Sequence, residues 1–290
     1  MAPTAIAVCA AARGRLLSPA SSAAAFAVLT PVALAILVPA IIGTSFLSGI
    51  FGMAGGMVLM GVLLAIMPVS AAMVLHGVTQ MASNGWRAWL WRAHIRWTIF
   101  FRYMVGSLLA AVAFALVSFV PSKPAALIVL GLTPVVGMYL PRSLRLNVAR
   151  PVDAVAGGAV CTGLMLVAGV SGPILDVFFV QAGLDRRSIV STKAAVQTFS
   201  HFLKLVYFGA ALVASGGGLS PWVMAMAVVL AVIGTALSRR LLERMSDVQF
   251  IAWSRRIIVV IAIAYLAQGS WLLFTGHAAP PEAAVAAPVR

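Results

Sequence analysis

Acidic residues are scarce in this 290-residue chain, which holds 6 Asp+Glu against 20 Lys+Arg, and charged residues of both signs make up only 9% of it. A carrier of cations favours carboxylates in its pathway, and here the sequence offers almost none. The two cysteines, Cys9 and Cys161, have no metal-ligand spacing and make no disulfide framework. No group of residues has the spacing of a zinc or haem site. A GxxxxGK[ST] phosphate loop is missing, so ATP is not hydrolysed within the chain. Nor is any polar stretch long enough for a separate soluble domain.

What is abundant is apolar sequence. Hydrophobic residues make up 62% of the chain and the mean hydropathy is +1.07. A soluble protein of this size could not bury so much apolar surface, so the solvent is lipid. At about 20 residues per crossing, the sequence makes roughly eight to ten membrane segments. All are expected to be helices, since a lone strand leaves its backbone unsatisfied in hydrocarbon. The segments are expected near 26–50, 53–67, 71–90, 97–119, 124–140, 152–170, 173–183, 187–212, 221–238 and 256–275. Residues 1–25 and 276–290 read as tails around one membrane domain, 26–275. The alanine-rich start superficially resembles a signal peptide, but its apolar run continues to Leu47 and reads as a retained first span.

The pI near 11.5 could suggest nucleic acid. The arginines fall instead in short clusters between apolar runs, the positive-inside pattern of a multi-pass membrane protein. Arg87, Arg92, Arg96 and Arg102 place one connection in the cytoplasm; Arg142, Arg145 and Arg150 place another. Arg186 and Arg187, then Arg239, Arg240, Arg244, Arg255 and Arg256, place two more. Both termini then lie outside, and Arg13 and Arg15 are the misfit. Trp86, Trp89, Trp91 and Trp97 read as an interfacial belt.

Two of the segments are short, and each begins at a glycine-rich break: Gly52-Met-Ala-Gly-Gly56 and Gly169-Val-Ser-Gly-Pro173. An offset of 117 residues carries Gly52 onto Gly169, Gly55 onto Gly172, Gln80 onto Gln197 and Ser83 onto Ser200. Combined with the charge-based topology, this predicts an all-α fold of two inverted repeats, about 26–140 and 152–275, five segments each. Paired Gly-interrupted segments at matching positions are a sequence pointer to a transporter's substrate site.

A helix that starts within the membrane exposes N–H groups with no intrahelical partner. With the helix dipole these form an anion site without a charged side chain. Gly52, Gly55, Gly56, Gly169 and Gly172 would shape two such ends, and Ser171 could add a hydroxyl. Close glycine-mediated packing is the plainer reading. The next segment of each half carries His76, Thr79, Gln80, Ser83 and Asn84, then Lys193, Gln197, Ser200, His201 and Lys204. Gln80, Ser83 and Arg87 share one helix face, as do Gln197, Ser200 and Lys204. These residues either line a path or make interhelical hydrogen bonds. Lys193 and His201 could neutralise an anion, whereas Arg87 and Lys204 could snorkel to an interface. Asp176 could carry a coupling proton. Gly55→Leu or Gly172→Leu is expected to abolish transport without loss of insertion.

Gly169-Val-Ser171-Gly172 also matches the GxSG of rhomboid-type intramembrane serine proteases, with His201 on a later segment. A serine nucleophile needs a base within hydrogen-bond reach, and the matching break, Gly52-Met-Ala54-Gly55, has no hydroxyl. A non-catalytic membrane assembly protein is the other alternative.

Gly52–Gly56 with its short helix and Pro68, His76–Ser83, and His94-Ile-Arg-Trp97 resemble the first half of the TauE/SafE sulfite exporter family, also called toluene-sulfonate uptake permeases. Gly169–Pro173 with Lys193–Tyr207 resembles the second half, and the resemblance covers roughly residues 30–275. It implies a permease of the bacterial inner membrane that moves sulfite, sulfonates or related organosulfur anions, not an enzyme. No cofactor, metal or nucleic acid is expected; the partners are the anion, lipid and a coupling proton or ion. His76 and Lys193 depart from the family pattern, where small residues are more usual, and mark a more cationic pathway.

Overall fold

In a computed structural model of the chain, residues 31–242 and 247–276 are described. The N-terminal tail, Cys9, Arg13, Arg15, Arg244 and the residues after 276 lie outside them, as do the side chains of Arg142, Arg239, Arg240 and Arg255. The described residues form ten α-helices and two short 3₁₀ turns, with no strand among them. The helices are α1 (Pro31–Phe51), α2 (Met53–Ile66), α3 (Val69–Leu90), α4 (Trp97–Val117), α5 (Lys123–Tyr139), α6 (Pro151–Ala168), α7 (Gly172–Val180), α8 (Arg186–Ala214), α9 (Pro221–Leu242) and α10 (Asp247–Phe274). All ten expected segments are present, most within two or three residues of their expected ends. The largest departure is α10, which starts nine residues early because its first turns, with Asp247, Gln249, Ser254 and Arg255, extend beyond the apolar run Arg256–Phe274.

Proline sets several starts. Pro31, Pro151 and Pro221 are first helical residues, where the missing N–H would have no partner anyway. Other starts are capped: Ser122 Oγ accepts from Ala125 N at 3.4 Å, and Asp185 accepts from Arg187 N and Ser188 N at 3.0 Å. The Asp185 carboxyl is held below its ordinary value chiefly by its hydrogen bond from the Ser188 side chain, then by the Ser188 backbone. Because this pKa is lowered, the cap contributes above the ordinary carboxylate range and is lost as pH falls through the lowered value.

Among the described residues, six helices are long and apolar enough to cross a membrane: α1, α4, α6, α8, and most of α9 and α10. Their outward faces carry exposed Leu, Val, Ile, Phe and Trp, as lipid contact demands. Helix α3 is different. Its first twelve residues, Val69–Gln80, are all buried, including His76, Thr79 and Gln80. Such polarity is tolerable because neighbouring helices, not lipid, surround it.

The most extensive pairings are α3 along α8, α4 along α6, α1 along α9, and α5 along α10. If α1–α5 are matched in order to α6–α10, this set maps onto itself. The α3–α8 and α5–α10 pairs are each their own counterpart, and α4–α6 exchanges with α1–α9. Both members of the exchanging set cross on glycines. An added Cβ on Gly106 would strike the Val155 carbonyl, and one on Gly158 the Tyr103 carbonyl. Likewise Gly49 meets Ser238, and Gly234 lies against Ile42 and Ser45. Small residues let these backbones approach without side chains between them.

Candidate functional site

Both glycine breaks turn on a residue in a conformation L side chains avoid. Gly52 has φ +67° and Gly169 has φ +79°, and these are the two positions the 117-residue offset superimposes. Gly52 (φ +67°, ψ −95°) lies outside the left-handed helical well, so even with open space around its missing Cβ, Gly52→Ala carries backbone strain of about 1–3 kcal/mol. At Gly169 a Cβ would also lie 2.7 Å from Met60 Sδ. Gly169→Ala and Gly52→Ala are both expected to lower the melting temperature in detergent. A second change, Met60→Ala, should offset part of the loss in Gly169→Ala and none of it in Gly52→Ala.

Each break launches a short helix without a side-chain cap: α2 from Gly52 and α7 from Ser171. The two starts touch. A Cβ on Gly172 would sit 2.6 Å from Met53 Cβ, so the first residues of α7 and α2 are in contact, although the helices do not run side by side. Helix dipoles and free N–H groups thus converge on one small region.

The two glutamines flank this junction in matching ways. A Cβ on Gly56 would lie 3.2 Å from Gln80 Oε1, and one on Gly172 would lie 3.7 Å from Gln197 Nε2. Six side-chain polar atoms among the described residues are buried with no hydrogen-bond partner: Ser171 Oγ in the second break, Gln80 Nε2 and Ser48 Oγ beside Gly56 and Gly55 of the first, His201 Nδ1 beside His76, and Ser45 Oγ and Tyr103 Oη. Unpaired buried polar atoms cost about 1–3 kcal/mol each, so those at the breaks call for a polar occupant. Ser171 Oγ bonds to no histidine, which leaves the protease alternative without its base.

Other residues singled out from the sequence are engaged in structure. Ser83 Oγ and Thr235 Oγ1 share a 2.7 Å hydrogen bond, Ser200 Oγ and Thr162 Oγ1 one of 3.3 Å, and Thr79 Oγ1 donates to Leu75 O at 2.8 Å. Gly55 faces away from the junction; its missing Cβ position is taken up by the Thr44 carbonyl and Ser48 of α1. Lys193 forms an ion pair with Asp176 across α8 and α7. Asp176 borders a cavity of about 190 Å³ beside Met53 and Pro173, with Pro134 and Gly137 of α5 and Ile258 of α10 on its other sides.

Lys204 overturns the snorkelling expectation. It is fully buried and its Nζ donates to Gly169 O at 3.0 Å and to His76 Nδ1 at 2.7 Å. His76 in turn donates from Nε2 to Gly56 O at 2.9 Å. Thus one chain of hydrogen bonds runs from the second break to the first. Arg87 is half-buried and donates to Ser48 O at 3.0 Å. Sequence reasoning placed Lys204 on the face of Gln197 and Ser200; that this face turns inward is what helix spacing could not reveal. Tyr265, which donates to Met57 O at 2.6 Å and braces α2 from α10, carried no sequence signal.

No group of three or more His, Cys, Asp or Glu among the described residues is placed to hold a metal ion. The fold and the buried polar junction at its centre define a multi-pass helical membrane protein. The family model described as Sulfite exporter TauE/SafE matches residues 36–268, and the chain belongs to that family, whose members are membrane transporters. No curated protein and no solved structure matches it.

Proposed function

We propose that this protein is a secondary transporter of small anions, sulfite, sulfonates or other organosulfur anions, in a bacterial inner membrane. The carrying observation is the meeting of two uncapped helix starts at Met53 and Gly172, with the unpartnered Gln80 Nε2 and Ser171 Oγ at the breaks and His201 Nδ1 beside His76. An oxyanion there accepts from backbone N–H groups and the two glutamines. Gly52, Gly56, Gly169 and Gly172 keep side chains out of its way. Asp176, paired with Lys193, stands at the side of the cavity, while Ser83 and Ser200 tie neighbouring helices together through Thr235 and Thr162 and Thr79 bonds within its own helix. Gly55 contributes its N–H and lets α1 close behind α2.

The self-mapping helix pairs support two five-helix halves of opposite orientation. Rocking of one half against the other around the junction gives alternating access.

The test is flux in proteoliposomes containing the purified protein, with labelled sulfite or methanesulfonate loaded on either side. Gln80→Leu and Gln197→Leu are each expected to lower flux about tenfold, the effect of one lost hydrogen bond to a charged group. Ser171→Ala should lower it less. Absence of flux with every anion would favour an assembly role.

A further inference from the structure

We propose that Lys204 is the proton-coupling group: it takes up one proton when an anion binds at the junction and releases it when the anion leaves. This rests on the anion-site reading above. Lys204 is fully buried, and among the described residues no carboxylate pairs with it. A lone ammonium in such surroundings is strongly disfavoured, so the group is neutral or it has an anionic companion.

Its hydrogen bonds fit the neutral state. The carbonyl of Gly56 can only accept, so His76 Nε2 carries the proton and Nδ1 is an acceptor. Lys204 therefore donates to two acceptors, His76 Nδ1 and Gly169 O. Those two donors are what an uncharged amine has, and its lone pair is left over. A proton from water adds to that lone pair and creates a third N–H donor. Bound anion and new ammonium then neutralise each other, so a monovalent anion crosses with no net charge.

Two imidazoles are the other bases beside Lys204, and the variants below distinguish them from it. From α3, His76 faces it directly, and His201 lies one turn away on α8 itself, its ring centroid 5.5 Å from that of His76. Every other ionisable side chain with a described partner nearby is engaged elsewhere. Asp176 of α7 is held by Lys193, and Arg87 of α3 by Ser48 O. Asp153 of α6 accepts from Asn147 N. Tyr103 of α4 and Cys161 of α6 sit together in the core between those helices, and Arg92 of the 3₁₀ turn stacks on Trp89. Tyr207 on α8 donates to Phe119 O.

The experiment is calorimetric titration of the full-length protein in detergent with sulfite and, separately, methanesulfonate, whose sulfonate does not titrate near neutral pH. Each titration is run at mildly alkaline pH in two buffers of different ionisation heat, which gives the protons taken up per anion. The wild type should take up about one. Lys204→Met and Lys204→Arg should take up none, the first because the amine is gone and the second because its charge is permanent. A wild-type count near zero with anion bound overturns the proposal and leaves the anion site standing. Uptake that persists in Lys204→Met also overturns it, because the proton then rests elsewhere. If neither anion binds the wild type, the anion-site reading fails and this proposal with it. Should neither variant fold, the count is taken on His201→Gln and His76→Gln instead: about one proton per anion in both supports Lys204, and its loss in either overturns the proposal.

Discussion

Gly172→Val is expected to reduce anion flux by about 100-fold or more while the protein still folds and inserts. A Cβ at Gly172 would occupy the space of Met53 Cβ, which is not the movable end of a long side chain. The starts of α7 and α2 must therefore separate. Overpacking of this kind costs about 1–3 kcal/mol, tolerable where the two helices meet only at their ends. The functional cost is larger, because donors from two helices no longer reach one oxyanion; losing the equivalent of about two charge-assisted hydrogen bonds exceeds 3 kcal/mol. Flux in proteoliposomes, set beside the elution profile in detergent, separates the two effects. Near-normal flux in a monodisperse Gly172→Val protein would remove the junction from the transport path. Gly55→Leu is not an equivalent probe: its side chain would be driven into the backbone of α1, so that variant reports on assembly.

A second large effect is expected at the crossing of α4 and α6. Gly106 and Gly158 each sit against backbone of the opposite helix, Val155 O and Tyr103 O, respectively. Neither carbonyl can move without breaking its own helix, so Gly106→Leu or Gly158→Leu is expected to cut the yield of folded protein about tenfold or more. Gly163→Leu, on the same helix but 3.7 Å from the flexible ring of Phe114, should leave most of the yield. Fluorescence-detected size exclusion of the three variants measures this directly. Equal yields would mean that close backbone approach does not hold α4 to α6.

The helices were legible because each apolar run ends at a proline, a glycine or a basic cluster, and those signals are local. Gly52 and Gly169 were legible as breaks for the same reason, down to their positions 117 residues apart. What failed was the direction of side chains on a face. Ser83 and Gln80 lie on one helix face, yet Ser83 is tied to Thr235 while Gln80 Nε2 is unpaired. Lys204 looked like a residue bound for the interface because a long cationic side chain usually is. Its inward turn depends on acceptors at Gly169 and His76, 35 and 128 residues away in the chain. No pattern within a single helix encodes partners at that distance.

The polarity of α3 also bears on how the protein is made. Helices that partition into lipid on their own can insert one at a time, each stable before it finds its neighbours. Helix α3 is not among the six apolar enough for that, and α2 and α7 are too short. These three form the centre, so the centre cannot be laid down first. The translocation machinery must hold α3 until α8 emerges, more than a hundred residues later, and the half-made chain waits with its histidine and glutamine unshielded. Assembly is therefore expected to finish late and all at once, and truncation anywhere before α8 should send the nascent protein to degradation.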